Sequence, residues 1–435
     1  MKKSFIWTCS VALAGFLFGF DTIVISGVDQ QLQELWNSND FVHGFVVISS
    51  ALWGTVIGAL FGGIPTDKYG RKNTLIGIGL LFILSALGSA FADSVTSFSI
   101  FRFIGGLGVG ASTIAAPAYI SEIAPAKKRG RYVALYQQSI VIGILIGLFS
   151  NYILQDMGEE PWRYMIGAEL IPALLYSVII LFVPKSPRWL IIKGRIEEAK
   201  EIMLINQKKE EIDALIEEIS KTNSICRESI FMKKYRFPLL LAFFIAFFNQ
   251  FSGINALLYY APRIFEEAGL GRSIALLSSV GIGVVNVVFT LIGIALIDRI
   301  GRKKLMYFGS IGYIISLSCV ALSFQFQWDG NLIPIFLFLF IASHAIGQGT
   351  VIWVFIAEIF PNHLRASGQA FGSSVHWILA ALIPSFIPSL FSSVGAGIVF
   401  AIFAVMMIGQ LIWTFVEMPE TKGESLEDLS RRLSK

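Results

Sequence analysis

The sequence predicts an all-α membrane protein with twelve transmembrane helices in two six-helix bundles and both termini in the cytoplasm. Three observations predict it. First, 55% of the 435 residues are hydrophobic and only 15% are charged, whereas soluble domains carry roughly 25% charged residues. Second, the chain holds twelve apolar stretches, centred near residues 15, 54, 83, 107, 142, 173, 248, 285, 314, 345, 378 and 405. A spanning helix needs ~20 mostly apolar residues. Backbone groups in lipid must be satisfied within the segment, so such runs mean helices. A transmembrane barrel would show alternation over ~10-residue segments, a pattern not seen here.

Third, the two halves repeat each other. Gly62-x4-Asp67-Lys68-Tyr69-Gly70-Arg71-Lys72 recurs 231 positions on as Gly293-x4-Asp298-Arg299-Ile300-Gly301-Arg302-Lys303. Glu122-x2-Pro125-x3-Arg129 recurs 236 positions on as Glu358-x2-Pro361-x3-Arg365, and Pro184 recurs 235 positions on as Pro419. The division that follows is an N-terminal bundle over 1–184, a linker over 185–236, a C-terminal bundle over 237–418 and a short tail over 419–435. In the linker, Ile196 to Ile219 is rich in Glu, Lys and Ile at helical spacing, which predicts short amphipathic helices on the cytoplasmic face. Parallel repeats joined this way are a transporter plan, with the solute site at mid-membrane between the halves.

The distribution of charge orients the chain. Basic residues crowd the even-numbered connections: Lys68, Arg71 and Lys72; Lys127, Lys128, Arg129 and Arg131; the segment after Pro184; Arg299, Arg302, Lys303 and Lys304; and Arg365. The odd connections carry Asp29, Glu34, Asp40, Asp93, Asp156, Glu159, Glu160 and Asp329, apart from a mixed seventh connection with Arg263 and Arg272. The positive-inside rule then puts the even connections and both termini in the cytoplasm. A signal peptide ending near Ala14 is the competing reading of the N-terminus. Yet the apolar run continues to Val28, and cleavage would leave an odd number of spans. Cys9, Cys226 and Cys319 share no metal or redox spacing. No metal-ligand cluster and no hydrolase or zinc-protease motif is found, so no enzyme, metal, cofactor or nucleic-acid partner is expected.

Two charges stand inside apolar runs. Asp21 lies in Gly19-Phe20-Asp21-Thr22 of the first stretch, and Arg102 in Phe101-Arg102-Phe103 of the fourth. A charge at membrane depth costs about 2.5–3.5 kcal/mol on insertion scales, so it has a partner and a role. The fourth stretch also carries Gly105, Gly106, Gly108 and Gly110, which allow a neighbouring helix to come close.

The loops Asp67-Lys68-Tyr69-Gly70-Arg71-Lys72 and Asp298-Arg299-Ile300-Gly301-Arg302-Lys303 resemble those of the major facilitator superfamily. Pro184-Lys185-Ser186-Pro187-Arg188-Trp189-Leu190, Pro419-Glu420-Thr421-Lys422-Gly423, Asn249-Gln250-Phe251-Ser252-Gly253-Ile254-Asn255 and Phe20-Asp21-Thr22-x-Val24-Ile25-Ser26-Gly27 resemble its sugar porter family. Trp162-Arg163-Tyr164-Met165 through Glu169-x-Ile171-Pro172 is most similar to the bacterial xylose–proton symporter group of that family. The resemblance spans essentially the whole chain. It implies the major facilitator fold and a proton-coupled monosaccharide symporter, importing a pentose or hexose by alternating access as a monomer of the bacterial inner membrane.

The resemblance also implies roles. Asp21 and Arg102 would stand side by side and couple the proton, with Glu169 matching a third charged position. A sugar needs several donors and acceptors beside an aromatic wall. Gln137, Asn249, Gln250, Asn255, Tyr259, Asn286, Gly349, Trp353, His376 and Trp377 fall where sugar porters bind sugar. Any one amide in a span serves equally well as glue between helices. Asn249 and His376 depart from the family pattern, each standing where an amide with a longer or different reach is usual. Asp67, Arg71, Glu122, Arg129, Asp298, Arg302, Glu358 and Arg365 would form a cytoplasmic latch of ion pairs; topogenic charge alone is the alternative. The competing functions are an uncoupled facilitator, which the charge at Asp21 argues against, and a membrane sugar sensor, which the short tail argues against.

Overall fold

A computed structural model describes residues 2–125, 129–205, 212, 216, 228–361, 363–424 and 426–433. All regular elements among these are helical. Spans 1 and 3–6 are Lys3–Gly27, Arg71–Ala90, Val95–Ile123, Arg129–Leu154 and Pro161–Leu181. Spans 7–12 are Lys233–Glu267, Arg272–Ile300, Arg302–Gln325, Leu332–Ile359, Arg365–Val394 and Ala396–Val416. Span 2 is the bent pair Asp40–Ile48 and Ser50–Phe61, with 41° between its arms.

Several spans are broken, and the breaks have local causes. Span 6 breaks at Ala168–Glu169, between helices Pro161–Gly167 and Leu170–Leu181. Pro172 has no N–H for the Ala168 carbonyl four residues back, and its ring crowds that carbonyl. Span 7 breaks at Gly253, whose φ of +82° is left-handed and suits glycine. A side chain there would strike the Phe403 ring, 2.5 Å from a built Cβ. Span 10 breaks at Gly347. Gly70 and Gly301 turn the chain after spans 2 and 8 with φ of +90° and +100°, in matching positions of the repeat.

Glycines also let the helices touch. A Cβ on Gly106 would lie 1.9 Å from the Ala51 carbonyl of span 2, so spans 2 and 4 meet backbone to backbone. Between the halves, contacts run along spans 5 and 8, spans 2 and 11, and spans 1 and 7.

In the linker, Pro187–Ile192 and the amphipathic Ile196–Leu204 are helical. Most of the helical pattern expected up to Ile219, with Lys127, Lys128 and Cys226, lies outside the described residues. The linker's end is tied down: hydrogen bonds from Tyr235, Lys234 and His363 hold the Glu228 carboxyl well below the usual range, at about 2. The tail, expected only to be short, contains a further helix, Leu426–Leu433.

Candidate functional site

Asp21, Arg102 and Glu169 come together inside the first half. Arg102 Nη1 donates to Asp21 Oδ1 at 2.5 Å, and its Nη2 donates to the Asp21 backbone carbonyl at 2.7 Å. Glu169 Oε2 lies 4.0 Å from the same guanidinium. All three are at most 1% exposed. The break in span 6 puts Glu169 at the start of the Leu170–Leu181 helix, where the macrodipole favours a carboxylate. Gly105 makes the room: a Cβ there would stand 2.4 Å from Ser85 Oγ and 3.1 Å from Asp21 Oδ1.

No described N–H or O–H donates to either Glu169 oxygen. Two buried carboxyls thus face one guanidinium, at 2.5 and 4.0 Å. With both ionised the cluster carries a net negative charge; one proton makes it neutral. A proton held by such a pair belongs to the pair. Tyr259 of span 7, in the second half, lies within electrostatic range of Arg102 and Asp21.

The amides and aromatics cluster in the second half. Gln250 ends the first arm of span 7 and Asn255 opens the second, across the Gly253 break. Asn255 Nδ2 donates to Gln250 Oε1 at 2.7 Å, and Gln250 Nε2 lies 3.1 Å from His376 Nδ1. The His376 ring is flanked by Trp353 and Trp377, each with centroids 5.0 Å away. Trp377 packs in turn on Phe18 of span 1, 5.6 Å between centroids, which brings this wall to the seam between the halves. Polar groups beside a flat aromatic surface suit a pyranose, whose C–H face stacks while its hydroxyls bond.

The remaining candidates scatter. Asn249 turns inward: its Oδ1 accepts from Gln250 at 2.9 Å and its Nδ2 donates to Gln348 Oε1 at 3.4 Å. Its shorter side chain thus serves the protein's own network. Asn286 accepts from Thr290 Oγ1 at 3.3 Å along span 8. Gly349 packs on His344, and Gln137 is half-buried on span 5.

The charged ends of the spans pair within each half. Arg71 meets Asp67 at 3.1 Å and Glu122 at 2.9 Å; Arg302 meets Asp298 at 3.2 Å and Glu358 at 2.7 Å. Ser186 donates to Glu122, and Thr421 donates to Glu358, so the motifs that follow spans 6 and 12 close the same pattern twice. Arg129 and Arg365 begin spans 5 and 11.

One cluster escaped the sequence reading. On the opposite face, Arg263 of span 7 donates to Gln33 and pairs with Asp29 at 2.7 Å, while His43 Nε2 lies 2.6 Å from Asp29 Oδ1. Asp29, Gln33 and His43 belong to the first half and Arg263 to the second, so this knot ties the two halves together there. Its signal was present: Arg263 is a basic residue in connections otherwise acidic. Gln410, a lone amide in span 12, was a second overlooked signal.

A family model described as "Sugar (and other) transporter" matches residues 7–433. The arabinose-proton symporter of Bacillus subtilis is 36% identical, over 98% of this chain and 94% of that protein. The inward open conformation of the xylose transporter from Escherichia coli superposes with a TM-score of 0.88 at 30% identity, over 98% of this chain and 99% of that one. A proton:xylose symporter of the major facilitator superfamily bound to 6-bromo-6-deoxy-D-glucose superposes with a TM-score of 0.80 at 30% identity, over 99% of both chains.

Proposed function

Because the chain belongs to the sugar transporter family of the major facilitator superfamily, we propose that it imports a monosaccharide, a pentose or a hexose, together with a proton by alternating access. It works as a monomer in the bacterial inner membrane, with both termini in the cytoplasm, and the proton is its coupling ion. It is not an enzyme.

The observation that carries the coupling is the buried Asp21–Arg102 pair with Glu169 beside it. Water reaching this cluster from outside delivers a proton to the Asp21–Glu169 carboxyls. Neutral Asp21 no longer holds the guanidinium by charge, and the contact between spans 1 and 4 loosens. Tyr259 stands one helical turn beyond Asn255 on span 7, so the cluster and the sugar amides act on the same segment. The loaded carrier rocks inward, releases sugar and proton, and restores the ion pair for the return.

Gln250, Asn255 and His376 supply the polar contacts, with Trp353 and Trp377 as the stacking wall. Gln137, Asn286 and Gly349 border the path between the halves. The knot of Asp29, His43 and Arg263 keeps the outer face shut in this conformation. The pairs around Arg71 and Arg302, each formed within one half, shape the surfaces that meet when the cytoplasmic face closes. Interfaces of this kind switch between discrete packings.

The test is uptake of radiolabelled arabinose, D-xylose and D-glucose into vesicles, with and without an imposed pH gradient. Accumulation above the outside concentration only with the gradient is expected. Equilibration indifferent to the gradient would make the protein a facilitator.

A further inference from the structure

A single hydrogen-bond chain runs from the sugar amides to the far side of the second half. In donor-to-acceptor order, Asn255 Nδ2 reaches Gln250 Oε1 at 2.7 Å and Gln250 Nε2 reaches Asn249 Oδ1 at 2.9 Å. Asn249 Nδ2 reaches Gln348 Oε1 at 3.4 Å, Gln348 Nε2 reaches Gln410 Oε1 at 2.9 Å, and Gln410 Nε2 reaches Ser310 Oγ at 2.8 Å. Ser310 Oγ donates to the Met306 carbonyl at 2.7 Å. The links join spans 7, 10, 12 and 9, and every one points the same way.

The cause lies at the far end. A backbone carbonyl can only accept. Ser310 Oγ donates its one proton to the Met306 carbonyl, and in this arrangement its lone pair accepts from the NH2 group of Gln410. That leaves the Gln410 oxygen facing Gln348, and the same rule passes through Asn249 and Gln250 to Asn255. Reversing any one amide sets donor against donor or acceptor against acceptor in a buried place, where an unmade bond is expensive. Gln348 and Gln410 are 0% exposed, so neither reaches a solute. Asn255 is half-buried at the site, and its Oδ1 accepts from no described residue.

We propose that Gln348 and Gln410 are positioning residues that pin the polarity of Asn255, so that the site presents a carbonyl oxygen and demands a sugar hydroxyl that donates. This rests on the sugar being bound at Asn255. A site built around one hydroxyl rejects analogues that lack it. Fluorine accepts weakly and cannot donate. Against an oxygen it is no better than hydrogen; against an N–H it is better.

The experiment is calorimetric binding of D-xylose, arabinose and D-glucose, each with its singly deoxygenated and singly fluorinated analogues, to the purified full chain. In the wild type, at one ring position, the deoxy and fluoro analogues should both bind on the order of 10- to 100-fold more weakly than the parent. In Gln410→Met the chain is cut; Gln250 and Asn255 can turn once His376, 3.1 Å from Gln250 Nε2, takes the tautomer that donates, and the fluoro analogue at that position should gain on the deoxy analogue. Ser310→Ala removes one hydroxyl, frees Gln410 in the same way and carries the test if Gln410→Met fails to fold. A purely structural role would weaken all ligands alike and leave the fluoro-to-deoxy ratio unchanged in both variants, which overturns the inference while the sugar site stands. A wild type that binds none of these sugars overturns the proposed function, and the inference with it.

Discussion

Arg102 grips Asp21 at two points, through the carboxylate at 2.5 Å and through the backbone carbonyl at 2.7 Å. Only the first of these depends on charge. A proton on Asp21 thus weakens the link between spans 1 and 4 without erasing it, which suits a joint that must close again in every cycle. The two residues are 81 positions apart and buried, so the grip is a product of packing.

Asp21→Asn should abolish sugar accumulation driven by a pH gradient and retain sugar binding. The amide keeps the shape of the carboxyl and the backbone carbonyl still accepts from Arg102, while Glu169 remains 4.0 Å from the guanidinium as a counter-charge. Vesicle uptake beside calorimetry gives the answer. Variant vesicles that still concentrate sugar, with proton uptake intact, would remove Asp21 from the coupling step.

Gln250→Ala and Asn255→Ala should each weaken sugar binding by ~1–3 kcal/mol, or roughly 5- to 150-fold, because each leaves a bound sugar hydroxyl without its partner and disturbs the neighbouring amides that shape the site. In Gln250→Ala the orphans are Asn249 Oδ1 and Asn255 Nδ2. Wild-type affinity in folded variants of both would place the sugar elsewhere.

Arg263→Ala should open the outer face. It removes the cation shared by Asp29 and Gln33 across the seam, and losing one partner of a buried pair costs about 3–5 kcal/mol. That penalty falls on the closed-outside state alone. Gly44→Val should act in the same direction by steric means, since a Cβ there would lie 2.3 Å from the Ser385 carbonyl of span 11. Cysteines introduced on the outer side should react faster in both variants. Unchanged labelling in both would show that the knot does not hold the gate.

Arg71→Ala or Glu358→Ala should shift the carrier toward inward-facing states by about fivefold, the effect of roughly 1 kcal/mol. Each variant breaks a pair that shapes the surface closing the cytoplasmic side, Arg71 with Glu122 at 2.9 Å or Glu358 with Arg302 at 2.7 Å. The readout is the labelling rate of cysteines on that side, and rates equal to wild type in several such variants would count against the latch.

The sequence by itself determined what is written locally. Spans follow from runs of apolar residues. The repeat follows from motifs such as Asp67–Arg71 and Asp298–Arg302, whose partners are four residues apart on one helix face. The importance of Asp21 and Arg102 follows from the cost of a charge in lipid, whatever its neighbour. The break beside Glu169, which the sequence reading did not draw, also has a local cause in Pro172 three residues beyond it.

Only the tertiary structure decided which distant groups meet. Arg263 reads in the chain as an exception to a charge rule; packing makes it the clasp between the halves, with Asp29 234 positions away. Asn249 and Asn255 are both amides of one short motif, yet the Gly253 break turns the first toward Gln348 and leaves the second with an open oxygen. That hydrogen-bond chain runs one way from Asn255 to the Met306 carbonyl on span 9, far from the motif in sequence. Hydropathy and helix geometry act over a few residues and are readable along a chain. Donor and acceptor polarity is settled by whichever fixed group lies at the end of a packed path, and that exists only once the spans have assembled.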